Sequence, residues 1–396
     1  MLRLLGPAFI AAIAYVDPGN VAANLTAGAG YGYLLLWVLV LANAMAVLVQ
    51  YLSAKLAVVS GKTLPEAVRD TLPDGGRRAY WVQAELVAVA TDVAEVIGGA
   101  VALNLLFGIP LVAGGIIVGI VSTVLLMLHG WRSVRVFELV IIGLLLVIVL
   151  GFVSGLFLAP PDPAEAVAGL IPGFEGTPTV LLAASMLGAT VMPHAIYLHS
   201  AMTRDHVGRV AVVDRPRVLR ATKFDVVGAL LVAGCVNIAM LLLAASALRG
   251  VEGTDTLEGA HAAVVAAIGA GGGLLFAIGL LASGLASTSV GAYAGSVVMG
   301  GLLRIRVPLL LRRVLTLVPA LVVLAAGVDP TQALVLSQVV LSFGIPFAIV
   351  PLVRFTGNRE LMGEYANGPV VRVLAFVAVA LVVGLNVTLL ALTFLG

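Results

Sequence analysis

Residues 13–21 read Ile13-Ala14-Tyr15-Val16-Asp17-Pro18-Gly19-Asn20-Val21, in the middle of an apolar segment running from about 2 to 33. An acid, a helix breaker, a glycine and an amide arrive together where a membrane helix should be most apolar. A carboxylate near the bilayer centre costs roughly 2.5–3.5 kcal/mol on insertion scales, so it marks a functional position. Pro18 has no amide hydrogen and its ring clashes with the preceding turn, while Gly19 tolerates almost any backbone angle. The stretch predicts an interrupted membrane helix whose freed carbonyls and Asp17 carboxylate face a cation.

The rest of the chain fits a membrane setting. Of its 396 residues, 61% are hydrophobic and only 11% charged, where a soluble protein carries about 25% charged residues. The 45 glycines lie within apolar runs, as close helix packing in lipid requires. Cys235 is the only cysteine, which excludes an internal disulfide and a thiolate metal cluster. The first apolar stretch is too long for a signal-peptide core and is expected to be retained.

Apolar runs of about 20 residues fall near 4–30, 34–59, 79–107, 109–128, 136–159, 178–203, 224–248, 272–303, 307–326, 331–353 and 371–395. These predict an all-α integral membrane protein with eleven transmembrane helices, forming one transport domain over 1–396. A short helix outside the membrane is expected over 257–270. All of the 22 Lys and Arg residues except Arg249 fall on one side of this arrangement. Among them are Arg3, Lys55, Lys62, Arg132, Arg135, Arg209, Arg306, Arg354 and Arg372. The opposite loops carry acids, including Asp162, Glu165, Glu175, Asp255 and Asp329. The positive-inside rule then puts the amino terminus in the cytoplasm and the carboxyl terminus outside, in a multi-pass protein of the cell membrane.

The sixth span carries a second interruption, Thr190-Val191-Met192-Pro193-His194. Spans one and six each begin a set of five, and a shift of five reverses direction through the membrane. Two proline-broken helices at matching positions point to inverted repeats, about 1–159 and 170–353, with a site between them and an extra helix at 371–395. Asp17 offers a hard anionic oxygen, Asn20 a neutral one, and Met192 a soft thioether. An all-oxygen set suits Ca²⁺ or Mg²⁺. The added sulfur favours a borderline transition metal such as Mn²⁺ or Fe²⁺. A single carboxylate suits binding weak enough to release.

Asp17-Pro18-Gly19-Asn20 in span one and Met192-Pro193-His194 in span six together resemble the signature pair of the Nramp family of proton-coupled divalent metal transporters. The resemblance covers nearly the whole chain. It implies a LeuT-type fold of five plus five inverted helices, with helices 1 and 6 interrupted. It also implies that Asp17, Asn20, Met192 and the Ala189 carbonyl are metal ligands. The Ala14 carbonyl and the Gln338 side chain are implied as ligands in only some conformations.

Span three adds Glu85, Asp92 and Glu95. Asp92 and Glu95 are three apart and share a helix face, where two carboxylates repel unless cations pair with them. Arg312 and Arg313, at the start of span nine, are suitable partners. The resemblance implies that such groups carry protons from the site to the cytoplasm, alongside Asp17 itself. His194, beside the second break, either relays a proton, since imidazole titrates near neutrality, or is a buried structural histidine. His199 reads as structural: five residues at about 100° each turn it about 140° away from His194. Asn43, Asn237 and Asn386 read as interhelical amides, and Ser283, Ser287 and Ser289 as a small-residue packing surface. His129 and Trp131 fall in a loop, where Trp131 suits an interfacial belt.

The expected function is secondary import of Mn²⁺, Fe²⁺ and similar ions with protons. No enzyme activity and no cofactor are expected, the metal being cargo and H⁺ the coupled ion. The lipid bilayer is the remaining partner, with no nucleic acid and no obligate protein. No phosphate-cradling loop suggests ATP drive, and no HExxH motif suggests a metalloenzyme. Two alternatives use the same breaks: a sodium-coupled transporter of a small organic substrate, and a passive metal channel.

Overall fold

Each of the two interruptions starts a helix on a proline, a residue suited to the first helical position because the amide hydrogen it lacks has no intrahelical partner there. In the computed structural model, residues 6–131, 134–208, 214–254, 256–305 and 307–395 are described, without the side chains of 128–131, 134–138, 309, 393 and 395. Arg3, Arg132, Arg209, Asp255 and Arg306 lie outside the described residues, as do the side chains of His129, Trp131 and Arg135.

Helix α1 (Pro7–Ile13) tightens into a 3-10 turn at Ala14–Val16. Asp17 is extended (φ −76°, ψ 168°), and α2 (Pro18–Tyr31) follows. Next come α3 (Leu36–Ser60), α4 (Leu64–Thr71), α5 (Asp74–Phe107), α6 (Leu111–Trp131), α7 (Val134–Val153), α8 (Gly155–Leu158) and α9 (Pro163–Ala168). The second interruption separates α10 (Gly176–Thr190) from α11 (Pro193–Val207). The chain ends with α12 (Arg215–Ala247), α13 (Leu257–Leu303), α14 (Leu309–Ala325), α15 (Pro330–Gly357), α16 (Arg359–Met362) and α17 (Pro369–Leu395). No strand occurs among the described residues.

Eight of these stretches are long and apolar enough to cross a membrane, from Leu36–Ser60 to Pro369–Leu392, with shorter apolar helices at Pro7–Val16 and Leu111–Met127. Their surfaces are arranged for lipid. Leu139, Leu146, Phe157 and Phe376 are exposed, while Asp17, Asp92, Glu95 and Arg313 are buried. This reverses the pattern of a water-soluble protein.

The short helix expected over 257–270 is joined to the following span as one run, broken at Gly269 (φ 84°, ψ 171°). That backbone is strained for any residue with a Cβ, which is why the bend falls on a glycine. Helix α4 had no counterpart in the expected spans. Its signal is Thr63-Leu64-Pro65-Glu66, a capping box in which Thr63 Oγ1 accepts from the Glu66 amide and Glu66 Oε2 accepts from the Thr63 amide.

Helix α5 packs along α13, α2 along α12, α10 along α15, and α2 touches α10. The two broken helices therefore face each other inside a ring made by α3, α5, α12, α13 and α15.

Candidate functional site

The site begins with Asp17 as the N-cap of α2. Its Oδ1 accepts from the Asn20 backbone amide at 2.8 Å and from Asn20 Nδ2 at 2.8 Å. A carboxylate suits this position because it meets the unpaired amides and the positive end of the helix. Asn20 Nδ2 also donates to the Ala189 carbonyl at 3.0 Å, and Thr190 Oγ1 donates to Asn20 Oδ1 at 3.4 Å. From α15, Gln338 Nε2 donates to Asp17 Oδ2 at 3.1 Å. The structure thus ties Asp17, Asn20, Ala189 and Gln338 directly to one another.

Met192 is the N-cap of α11, with an extended backbone (φ −70°, ψ 122°), three residues past Ala189. No described hydrogen bond joins its sulfur to the set. Ala14 opens the 3-10 turn one turn before Asp17, and no described side chain bonds its carbonyl. Ala14, Asp17, Asn20, Ala189, Met192 and Gln338 are all 0% exposed. An ion can reach them only if the helices move.

The break leaves carbonyls that α1 can no longer satisfy, and two neighbours take them. Asn237 Nδ2 of α12 donates to the Tyr15 carbonyl at 2.7 Å, and Ser283 of α13 donates to the Val16 carbonyl. Asn24 Nδ2 in turn donates to Asn237 Oδ1 at 3.0 Å. Asn237 and Ser283, expected only to pack helices, hold the unwound segment open. Thr190, Asn24 and Tyr15 join the site in the same way. The signal for them was an intramembrane polar side chain, which does not say which carbonyl it will find.

The acidic set of α5 forms two ion pairs with α14. Arg313 Nη1 binds Asp92 Oδ1, and Arg313 Nη2 donates to Ser122 Oγ at 3.0 Å. Arg312 Nη2 lies 2.8 Å from Glu85 Oε1. Arg312 thus pairs with Glu85 rather than with the Asp92–Glu95 face to which it was matched. Glu95 turns to α13, where its buried carboxyl lies beside Gly291 and Ser287.

Thr91 Oγ1 donates to the Val87 carbonyl at 3.0 Å. His194 Nδ1 therefore carries the hydrogen between His194 and Thr91, at 3.3 Å, and buried Nε2 keeps its lone pair. His199 is structural in part only. Its Nδ1 donates to Gln50 Oε1 at 2.7 Å, and Gln50 Nε2 donates to the Tyr15 hydroxyl, so it connects to the break after all.

The match to known proteins is close. The family model described as "Nramp: Natural resistance-associated macrophage protein-like" matches residues 8–392. The chain belongs to the Nramp family. A Mycobacterium tuberculosis protein named divalent metal cation transporter MntH is 57% identical over 394 residues, covering 99% of this chain and 92% of that one. A crystal structure of the Eremococcus coleocola manganese transporter superposes with a TM-score of 0.87 at 30% identity, over 97% of this chain and 85% of the other. The structure of MhsT in complex with L-phenylalanine gives a TM-score of 0.65 at 12% identity over 98% of both chains, a likeness of fold alone. This Nramp chain is accordingly a multi-pass membrane transporter whose described residues form helices and no strand.

Proposed function

We propose that this Nramp protein imports divalent transition-metal ions, Mn²⁺ and Fe²⁺ among them, into the cytoplasm together with protons. The observation that carries the reading is the convergence of Asp17, Asn20, the Ala189 carbonyl and Gln338 at two facing helix breaks, with Met192 capping the second. A carboxylate, amide oxygens, a carbonyl and a thioether form a mixed hard and soft set that suits a borderline dication. In this reading the metal is cargo and the protein needs no resident cofactor. It crosses the cell membrane eleven times, with its amino terminus in the cytoplasm and its carboxyl terminus outside.

Two amides now present N–H groups to Asp17. Ligation requires Asn20 and Gln338 to turn about their terminal torsions and offer oxygen instead, a rotation with a broad, roughly two-fold profile. Gln338 Oε1 already lies buried without a described donor. Because the ligands are fully buried, entry and exit need rocking of the broken helices against α5, α13 and their neighbours, as in inverted-repeat transporters. Metal and proton compete for the same Asp17 oxygens, since a dication favours the ionised carboxylate.

A displaced proton has a graded route. Glu95 is 0% exposed and in electrostatic range of Asp17 and Asp92. The Asp92–Arg313 pair follows, and then Arg312–Glu85, where the Glu85 side chain is 21% exposed. His194, hydrogen-bonded to the neighbour of Asp92, adds an acceptor nitrogen beside that route.

The test is Mn²⁺ against Ca²⁺ uptake into proteoliposomes, with internal pH recorded. Asp17→Ala should abolish Mn²⁺ uptake and the acidification that accompanies it. Met192→Ala should retain Mn²⁺ uptake while admitting Ca²⁺. Undiminished Mn²⁺ uptake by Asp17→Ala refutes the site. Unchanged Ca²⁺ exclusion by Met192→Ala removes sulfur as the selectivity element. Metal uptake with no acidification in the parent favours the channel.

A further inference from the structure

The end of the bundle that carries the basic loops holds a cavity to which the broken helices contribute no lining residue. It measures about 560 Å³ and lies between α16 and the start of α17, lined in part by Arg359, Glu364, Asn367 and Arg372. A cleft of about 720 Å³ between α15 and α17 adjoins it, and the two share Arg372 and Val373. The cleft wall includes Arg354 with Val350, Val353, Phe376 and Val379. Phe376 and Val350 point outward, exposed as residues that face hydrocarbon are. A polar chamber therefore opens into an apolar furrow, with arginines at the junction.

The charge around the chamber is lopsided. Arg354, Arg359 and Arg372 face one lining acid, Glu364, with Glu360 nearby on α16. Arg372 Nη2 donates to the Gly357 carbonyl at 3.1 Å, and no described ion pair involves any of the three arginines. Behind the wall, Lys55 of α3 is 8% exposed, and its ammonium donates to Asn367 Oδ1 at 3.0 Å. Asn367 is held in place by its Nδ2, which donates to Thr356 Oγ1 at 2.8 Å. Among the described ion pairs none reaches Lys55. A buried ammonium resting on a neutral amide is poorly compensated, and its field adds to that of the arginines.

We propose that this chamber and furrow bind one anionic phospholipid. Its phosphate sits among Arg354, Arg359 and Arg372, and an acyl chain lies along Val350, Val353, Phe376 and Val379. Arginine forks match phosphate oxygens in pairs, and basic pockets between helices at the cytoplasmic side suit anionic headgroups. A zwitterionic headgroup brings its own cation into an already positive chamber. A soluble phosphate leaves the furrow unused. Binding there clamps α17, which lies outside the two repeats, to α15, which carries Gln338. The assignment to the cytoplasmic leaflet rests on the orientation proposed above; the binding itself does not.

Native mass spectrometry of the full chain in detergent tests this. The probes are phosphatidylglycerol, phosphatidylcholine with the same acyl chains, and glycerol 3-phosphate. Phosphatidylglycerol should form a single retained adduct at a concentration about tenfold below phosphatidylcholine, because its headgroup brings no cation of its own into the basic chamber. Arg354→Gln with Arg372→Gln should bring it to the phosphatidylcholine level, and glycerol 3-phosphate should not displace it. Arg359→Gln, on the short exposed α16, should weaken binding as well and serves if the double variant folds poorly. Equal binding of the two lipids, or full retention in these variants, overturns the proposal. Displacement by equimolar glycerol 3-phosphate overturns the lipid in favour of a soluble phosphate ester. None of these readouts depends on metal transport, so a failure here is separable from a failure of the transport reading.

Discussion

Gln338 Nε2 reaches Asp17 Oδ2 at 3.1 Å, joining α15 to the first helix break across 321 positions of sequence. Two glycines permit that approach. A Cβ at Gly19 would overlap the Gln338 side-chain amide, and one at Gly188 would overlap the Gln338 backbone carbonyl. A side chain can swing aside, whereas a carbonyl inside a helix cannot. Gly188→Ala should therefore lower the melting temperature, with an overpacking cost of about 1–3 kcal/mol. Gly19→Ala should melt close to the parent but lose Mn²⁺ uptake, because Gln338 no longer faces Asp17. Thermal unfolding in detergent and uptake in vesicles separate the two, and equal behaviour of both variants contradicts the contact.

Asn237 and Ser283 set up a second expectation. Each satisfies one carbonyl of the unwound segment, Tyr15 and Val16 respectively. Losing a partner leaves a buried carbonyl at a cost of about 1–3 kcal/mol. Asn237→Ala also strips Asn24 Nδ2 of its oxygen acceptor, leaving only the Met240 sulfur at 4.0 Å, so it should be the more damaging of the two. Both should reduce the maximal Mn²⁺ uptake rate while leaving the order of preference among metals unchanged, since neither side chain belongs to the ligand set. A changed Mn²⁺ to Ca²⁺ ratio in either variant would place it among the ligands instead.

The breaks were legible because proline acts on its own helix. Pro18 and Pro193 each remove an intrahelical hydrogen bond, as Pro346 and Pro351 do inside the continuous α15. The acid, glycine and amide beside Pro18 and the thioether and imidazole beside Pro193 are what mark these two as breaks. The partners of the breaks were not legible, because they arrive from other helices at crossings that periodicity does not specify. Gln338 entered the expected site only through family resemblance, and Asn237 looked like any interhelical amide. The arginine pairing shows the same boundary. Glu85 and Asp92 are seven apart, two turns along one face of α5, and that face meets Arg312 and Arg313 of α14. Glu95 stands about 60° around from Asp92, which was enough to turn it to α13. The capping box before α4 was readable from Thr63 and Glu66 alone.

That capping box gives a pH signature outside the membrane. Arg204 Nη1 of α11 lies 2.8 Å from each Glu66 carboxyl oxygen, while the Thr63 amide donates to Oε2. Burial pushes the Glu66 carboxyl up, but the Thr63 amide and the Arg204 guanidinium outweigh it and hold it below its ordinary 4.5. A depressed carboxyl stabilises the fold at pH values above 4.5, and the contribution fades as pH falls through the lower folded value. Glu66→Gln should therefore melt below the parent at pH 7, by roughly 1 kcal/mol for a partly exposed pair. The gap should close once the pH is below the folded value. A gap that persists undiminished at acid pH means the loss is one of packing.

The Asp92–Arg313 pair offers the sharpest separation of structure from proton movement. Both side chains are buried, and Ser122 holds the other arm of the guanidinium. Removing one member leaves an uncompensated charge, which costs about 3–5 kcal/mol, whereas replacing both members is much milder. Asp92→Asn and Arg313→Gln should each lower thermal stability, and the double variant should recover most of that loss. If the pair is only a strut, proton flux returns with stability in the double variant. If Asp92 carries protons between Glu95 and the Arg312–Glu85 pair, acidification stays low in the double variant while Mn²⁺ still binds at Asp17. Metal binding by calorimetry and internal pH in vesicles, measured on the same three variants, decide between those outcomes.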